Sequence, residues 1–299
     1  MAAVDDAGVH VSGRGSVAVC TAAASAAPPF AIERESRQHE RGTGSEGEPH
    51  GPSIAPQVLC VSSRRMTWSI IARDPASGAF GIAIATRFFA AGALCPHAES
   101  GVGALSTQAL VNPHYGPQCL DLLRAGVPAP EVVKRVTAPD EGRDQRQLHV
   151  IDAAGRIGQH TGARCVDWCG AIAGSGYSVA GNMLANERVI RDTARAYEAS
   201  RRPFAERLLA ALEAGEAAGG DKRGKQSAAL LVHSTEAYPE LDIRVDDHAE
   251  PLAELKRLYE KAHERFIPYL TCSPSKAKPW GIFDRARLEE EISRYKKPA

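Results

Sequence analysis

Two short runs constrain this chain more than anything else in it: Thr67-Trp68-Ser69-Ile70-Ile71-Ala72-Arg73 and Phe80-Gly81-Ile82-Ala83-Ile84-Ala85-Thr86. The first mixes β-branched and aromatic residues and the second alternates small and large apolar ones, so both read as strands. Ser77-Gly78-Ala79 between them supplies turn chemistry, and the pair is expected to form a hairpin. At its first position stands a hydroxyl residue, Thr67, directly after Met66. If the mature chain starts at Thr67, one residue carries both a nucleophilic hydroxyl and a free α-amine. Such an amine has an ordinary pKa of roughly 7.7 to 8, close to the working pH at which a general base is most effective. Threonine activated by its own amine is a known form of nucleophile. A threonine after a methionine is also a plain way to open a strand, and the rest of the sequence has to separate the two readings.

The sequence before the hairpin has a different character. Across residues 1–65, Ala, Gly, Ser and Pro fill close to half of the positions and Phe30 is the only aromatic. With no amphipathic pattern to bury surface, the stretch is expected to be a disordered N-terminal extension. It also fits translated sequence upstream of a misassigned start, with Met66 as the initiator and residues 1–65 dispensable. Residues 17–27 resemble the apolar part of a signal peptide, but Asp5 and Asp6 precede them where such peptides need positive charge. Export is therefore the weaker reading and the cytoplasm the expected location.

From Met66 onward the pattern is ordered. Strands are expected over 101–108, 145–151, 156–161, 226–233 and 241–246. Helices are expected over 116–126, 130–137, 187–199, 204–216, 252–266 and 285–295, with 174–181 a glycine-rich approach to the central helices. Hairpins rather than strict βαβ alternation argue for an α+β fold with two antiparallel sheets between helix layers. The main domain is placed at 66–250, and a C-terminal helical extension at 251–299 packs on the domain or on a partner. Leu252, Leu255, Leu258 and Tyr259 form one stripe, which raises a homodimer as a possibility.

Charge and cysteine content narrow the function classes. Lys plus Arg and Asp plus Glu are 36 each, which leaves no electrostatic footprint for nucleic acid or an anionic membrane. No run approaches the 18 apolar residues of a membrane span. Seven scattered cysteines fit reduced thiols better than a disulfide scaffold. Cys165 and Cys169, with His160 upstream, lack the second ligand pair of a structural zinc site. Asp246, Asp247 and His248 admit either a hard-cation site or the cap of the following helix. No metal or cofactor is expected.

The runs Met66 to Asp74, Arg87 to Gly92, Gly101 to Ala109, Asn112 to Pro117, His160 to Gly162, Gly181 to Leu184 and Gly219 to Ala229 resemble, in this order, those of DUF1028. That is a family of uncharacterised bacterial and archaeal proteins placed among the N-terminal-nucleophile (Ntn) hydrolases. The resemblance implies a four-layer αββα sandwich of two antiparallel sheets and an amidohydrolase acting on a small amide or ureido C–N bond. In such a fold, supporting groups come from strand ends and the loops that follow them. The expected catalytic set is therefore Thr67, with Gln108 or Asn112 stabilising an oxyanion and Asp221 and Arg223 orienting the amine. Substrate contacts are expected from Arg87, Thr107, His114, Tyr115, His160, Asn182, Lys222 and Ser227. Turn chemistry at Asn112-Pro113 and an exposed charged turn at 221–223 are the competing readings. A non-catalytic binding or scaffold protein on the same sandwich is the alternative function.

Overall fold

A computed structural model describes residues 67–297. The expectations for residues 1–65 and for Met66 lie outside that range. The hairpin forms as expected, β1 (Thr67–Arg73) against β2 (Phe80–Thr86). Asp74 holds its turn by accepting from the Ser77 N–H at 3.0 Å and the Ser77 hydroxyl at 2.7 Å. The hairpin lies at the centre of a six-stranded antiparallel sheet, in the order β10-β9-β2-β1-β8-β7. The added strands are β7 (Gly170–Gly174), β8 (Tyr177–Asn182), β9 (Ser227–His233) and β10 (Leu241–Val245). A four-stranded antiparallel sheet faces it, built from β3 (Pro96–Glu99), β4 (Gly103–Ala109), β5 (Arg146–Asp152) and β6 (Ile157–Thr161) in sequence order.

Helices cover both outer faces. Helices α1 (Tyr115–Arg124) and α2 (Ala129–Thr137) bury Cys119, Val132 and Val136 against Leu105 and Leu148 of the smaller sheet. On the larger sheet, α3 (Arg188–Ala199) and α4 (Phe204–Ala217) bury Val189, Ile190, Leu208 and Leu212 against Trp68, Ile70 and Val179. The result is an α+β sandwich with helix, sheet, sheet and helix layers. Helix α5 (Pro251–Glu264) joins the same core through Leu252, Leu255, Tyr259 and Ala262, and α6 (Phe266–Thr271) and α7 (Arg285–Arg294) follow it. The stripe that raised the question of a partner subunit is thus packed against the chain's own sheet.

Three strands escaped the sequence reading. The glycine-rich stretch over 174–181 is half of the β7–β8 hairpin, turned at Gly176 with φ +72°. Its many glycines and alanines hide a strand pattern that only the neighbouring β1 makes stable. Strand β3 starts on Pro96 at a sheet edge, where a missing N–H leaves no ladder bond unmade.

Alternation along β1 sorts the interior. Trp68, Ile70 and Ala72 belong to the core under the helices, while Ile71 packs between the sheets with Ile82, Ala104 and Ile151. Thr67 and Ser69 share the face of Ile71. The inter-sheet layer is therefore apolar near the hairpin turn and polar at the opposite end. Trp68 fits its side of the sheet because Gly215 of α4 lacks a side chain. A Cβ there would stand 2.8 Å from Trp68 Nε1 and 2.3 Å from Thr193 Oγ1. Gly215→Ala should therefore destabilise the protein by about 1–3 kcal/mol from overpacking, despite alanine's better helix propensity. Equilibrium denaturation checks this, and an unchanged or raised stability would contradict the packing described.

Candidate functional site

The polar end of the layer begins with a row of four residues across the larger sheet. Thr67 is the cross-strand partner of Asn182, and Thr86 is that of Ser227. Pairing of Trp68 with Ala85 sets Thr67 beside Thr86, and the Thr67 hydroxyl donates to Thr86 Oγ1 at 3.1 Å. Directly opposed residues in antiparallel strands point to one face, so four polar side chains from four adjacent strands stand side by side. All are buried, with Thr67 the most accessible at 4 %. The Asn182 amide donates to the Thr67 carbonyl at 3.4 Å and to Gln147 Oε1 of the facing sheet at 3.1 Å.

Behind the row a hydrogen-bonded chain of neutral groups crosses between the sheets. Ser69 donates to Gln108 Oε1 at 2.7 Å, and Gln108 Nε2 donates to Gln147 Oε1 at 2.8 Å. Gln147 Nε2 in turn reaches the Gly181 carbonyl at 2.9 Å and Thr161 Oγ1 at 3.0 Å. Because the Ser69 proton is committed to Gln108, its oxygen is left to accept from His149 Nε2, 2.9 Å away. That places the imidazole proton on Nε2 and leaves Nδ1 to accept from the Ser178 hydroxyl at 2.9 Å. Ser178 accepts from Gln159 Nε2 at 2.8 Å. Each buried group has a partner, so the desolvation penalty of a polar core is offset. His149 is wholly buried, and burial pushes its pKa down to about 3 although the Ser178 contact acts upward.

Asp221 organises the other flank. It follows Gly219 and Gly220, both at positive φ, which turn the chain out of α4, and it bridges to Leu184 just beyond β8. Its Oδ2 accepts from the backbone N–H of Arg87 at 2.8 Å and from Arg223 Nη2 at 3.0 Å; Oδ1 accepts from the Arg223 backbone N–H at 2.8 Å. Arg87 directly follows Thr86, so this carboxylate fixes the strand end next to Thr67. Arg87 Nη1 reaches the Arg223 carbonyl at 3.3 Å. Ser227 donates to the Phe88 carbonyl at 2.6 Å and accepts from the Ala91 N–H at 3.3 Å, tying down the loop after β2. Lys222 Nζ donates to the Asp167 carbonyl at 2.7 Å.

Thr67, Asn182, Arg87, Asp221, Lys222, Arg223 and Ser227 are thus gathered at one end of the larger sheet, and Gln108 lies in the layer behind them. The remaining candidates fall elsewhere. Strand alternation turns Thr107 away from Ser106 and Gln108 towards the α1–α2 side, where its hydroxyl meets the Asn112 carbonyl at 3.4 Å. Asn112 donates to Asp140 at 3.2 Å, Tyr115 donates to the same carboxylate at 2.7 Å, and the Asn112 side chain accepts from the His114 N–H at 3.1 Å. Burial would raise the Asp140 pKa, but these bonds and Arg146 hold it below the usual carboxylate range. The group braces the loop before α1, with His114 exposed at its tip. His160 Nε2 contacts the Arg143 carbonyl at 2.8 Å, apart from Cys165 and Cys169. His248 accepts from the Glu250 N–H at 3.0 Å and Asp247 accepts from Gln226 at 3.1 Å, so both brace the loop before α5, whose first turn has no side-chain cap. Among the described residues no group of three His, Cys, Asp or Glu side chains is arranged to hold a metal.

Ser69, Thr86, Gln147, His149 and Ser178 were not among the sequence candidates. Their period-2 spacing with apolar neighbours resembles a solvated strand face. The signal that could have found them is that β1 has helices on one face and a second sheet on the other, so neither face is free to be wet.

A neutral buried histidine links stability to pH. Its unfolded pKa is roughly 6.5 and its folded value is lower, so the unfolded chain binds the extra proton on acidification. Stability is complete above about pH 6.5 and should fall by up to about 1.4 kcal/mol per pH unit for this proton as pH drops towards 3. His97, His233 and His263, also lowered chiefly by burial, add to the slope in the same direction. Denaturation midpoints between pH 7 and 4.5 should show a shallower slope in His149→Gln than in the parent; equal slopes would contradict a neutral His149.

Comparison with known proteins follows the same residues. The model of the family of unknown function DUF1028 matches residues 67–255. The crystal structure of a protein from Silicibacter pomeroyi, described with the same family model, is 33% identical with a TM-score of 0.69, covering 74% of this chain and 96% of that one. Anbu (ancestral beta-subunit) from Yersinia bercovieri aligns at 13% identity and a TM-score of 0.32, over 65% of this chain and 94% of its own. No curated protein matches. With its family model covering well over half of the sequence and opening on Thr67, the chain belongs to DUF1028.

Proposed function

We propose that this protein is an amidohydrolase of the N-terminal-nucleophile type, with Thr67 as nucleophile and a small amide or ureido compound as substrate. The observation that carries this is the position of the Thr67 hydroxyl: at the first residue of the central strand, within the buried row formed with Asn182, Thr86 and Ser227. A chain that begins at Thr67, through initiation at Met66 and methionine removal, adds a free α-amine to that residue.

The chemistry follows from those two groups. The amine takes the hydroxyl proton as Oγ1 attacks the substrate carbonyl, and a tetrahedral oxyanion forms. The protonated amine then returns the proton to the leaving nitrogen as the C–N bond breaks, leaving an ester on Oγ1. Water, deprotonated by the same amine, attacks the ester; the acid departs and Oγ1 regains its proton. Asn182, itself held by Gln147, donates to the Thr67 carbonyl and so sets the angle of approach. Asp221 fixes the backbone beyond Thr86, while the Arg87, Lys222 and Arg223 side chains bring positive charge to the same strand end and favour a substrate bearing a carboxylate. Gln108, engaged by Ser69 and Gln147, acts as a support rather than as the oxyanion donor expected from sequence.

A screen of the protein begun at Met66 against amide and ureido compounds tests this. Intact mass should show a chain starting at Thr67. Thr67→Ala should lower turnover by about a thousandfold or more, while Thr67→Ser keeps measurable activity. Because the base works unprotonated, kcat/KM should rise with pH through a group near 7 to 8. An active protein with Thr67 internal would exclude the mechanism, and a correctly started protein inert towards the whole panel would favour the binding or scaffold reading.

A further inference from the structure

A concave site lies at the far end of the larger sheet from Thr67. A cavity of about 370 Å³ opens between the hairpin turn at Ser77 and Ala79, the start of α4, and the C-terminal helices. Seven residues of β1 at about 3.3 Å each put it roughly 20 Å from Thr67. Its walls are Phe204, Val232, Leu241 and Ile267, and its roof includes Tyr259 and Tyr295. The roof comes from beyond residue 255, where the family match ends. The extension therefore turns an apolar flank of the sandwich into a half-open cleft of the size that takes one small molecule.

The charges around it are one-sided. Glu240, an exposed residue, is the carboxylate of the lining, and no lysine or arginine lines it. Nearby cations are already matched. Arg207, stacked 5.5 Å over Phe204, lies 3.7 Å from Asp74. Lys297, 5.1 Å over the Tyr259 ring, pairs with Glu206 at 3.1 Å and Glu260 at 2.9 Å. His263 adds no charge near neutral pH: burial, helped by Lys297, lowers its pKa. Its Nδ1 meets the Tyr295 hydroxyl at 2.9 Å and its ring stands edge-on to Tyr259. Apolar and aromatic walls beside a solvated carboxylate, with no cation in the lining, are surroundings that an organic cation prefers over an anion.

We propose that this cavity is a binding site for a small apolar amine, seated with its hydrocarbon body against Phe204, Leu241 and Ile267 and its ammonium group towards Glu240. The proposal does not depend on the chemistry at Thr67.

Calorimetric titration of the full chain with benzylamine, benzyl alcohol and benzoate tests it. Benzylamine should bind at one site about fivefold or more tighter than benzyl alcohol, with benzoate weakest. Glu240→Gln should remove the preference for amine over alcohol while leaving alcohol binding. Ala205→Trp, which fills the space, should abolish both, its melting temperature serving as the folding control. Should that variant unfold, Glu240→Gln decides alone. Absence of saturable millimolar binding by all three compounds, benzoate binding as tightly as benzylamine, or an amine preference unaltered in Glu240→Gln would each overturn the proposal.

Discussion

The hydrogen bonds that Ser69 makes across the sandwich are the constraint on which the polar half of this structure depends. One hydroxyl, on the strand that begins with Thr67, donates to Gln108 and accepts from His149, both from the facing sheet. Two packed sheets ordinarily meet through apolar side chains, as these do around Ile71, Ile82, Ala104 and Ile151. At the Thr67 end they meet through hydroxyls, amides and one neutral imidazole. Such an arrangement is directional where an apolar one is not, because a shift of either sheet leaves several buried groups unpaired at about 1–3 kcal/mol each. The register of β1 against the opposite sheet, and with it the placement of Thr67, is fixed by that directionality.

The polar interior around Ser69 is built from uncharged groups. Among the groups joined to Ser69 none is ionised, so the layer positions the strand without imposing a strong field on its end. Charge enters from the flank instead, through Asp221 with Arg87 and Arg223, where Asp221 accepts from the Arg87 N–H just beyond Thr86 and from the backbone and guanidinium of Arg223. The two devices act on adjacent strands. One sets the sheet-to-sheet geometry through Gln147 and Asn182; the other sets the exit of β2.

Much of the fold was legible in the sequence because its period was. The hairpin at 67–86, the helices over α1 to α5 and the strands β5, β6, β9 and β10 each carry their own pattern of apolar spacing and turn residues. β7, β8 and β3 do not: small residues and a leading proline gave no local signal, and pairing with β1 and β4 makes them strands. At the candidate site the divide is similar. Thr67, Asn182, Asp221 and Arg223 stand at strand ends and glycine turns that a sequence marks. Ser69, Gln147, His149 and Ser178 lie mid-strand, where a polar residue facing a second sheet looks the same as one facing water. Thr107, His114, Tyr115 and His160 went the other way, since adjacency to a marked segment does not settle which face of a strand or which side of a loop a residue takes.

The central claim is that the inter-sheet polar layer positions Thr67 for nucleophilic attack, and covalent labelling probes it most directly. A β-lactone, ring-opened by an activated hydroxyl to leave an ester, would be incubated with the protein begun at Met66 and located by peptide mapping. The account predicts a single ester on Thr67 that forms much more slowly when Gln147→Leu breaks the link to Asn182 in a protein that remains folded. Labelling at some other residue, or labelling of Thr67 at an unchanged rate in the Gln147→Leu protein, would contradict it.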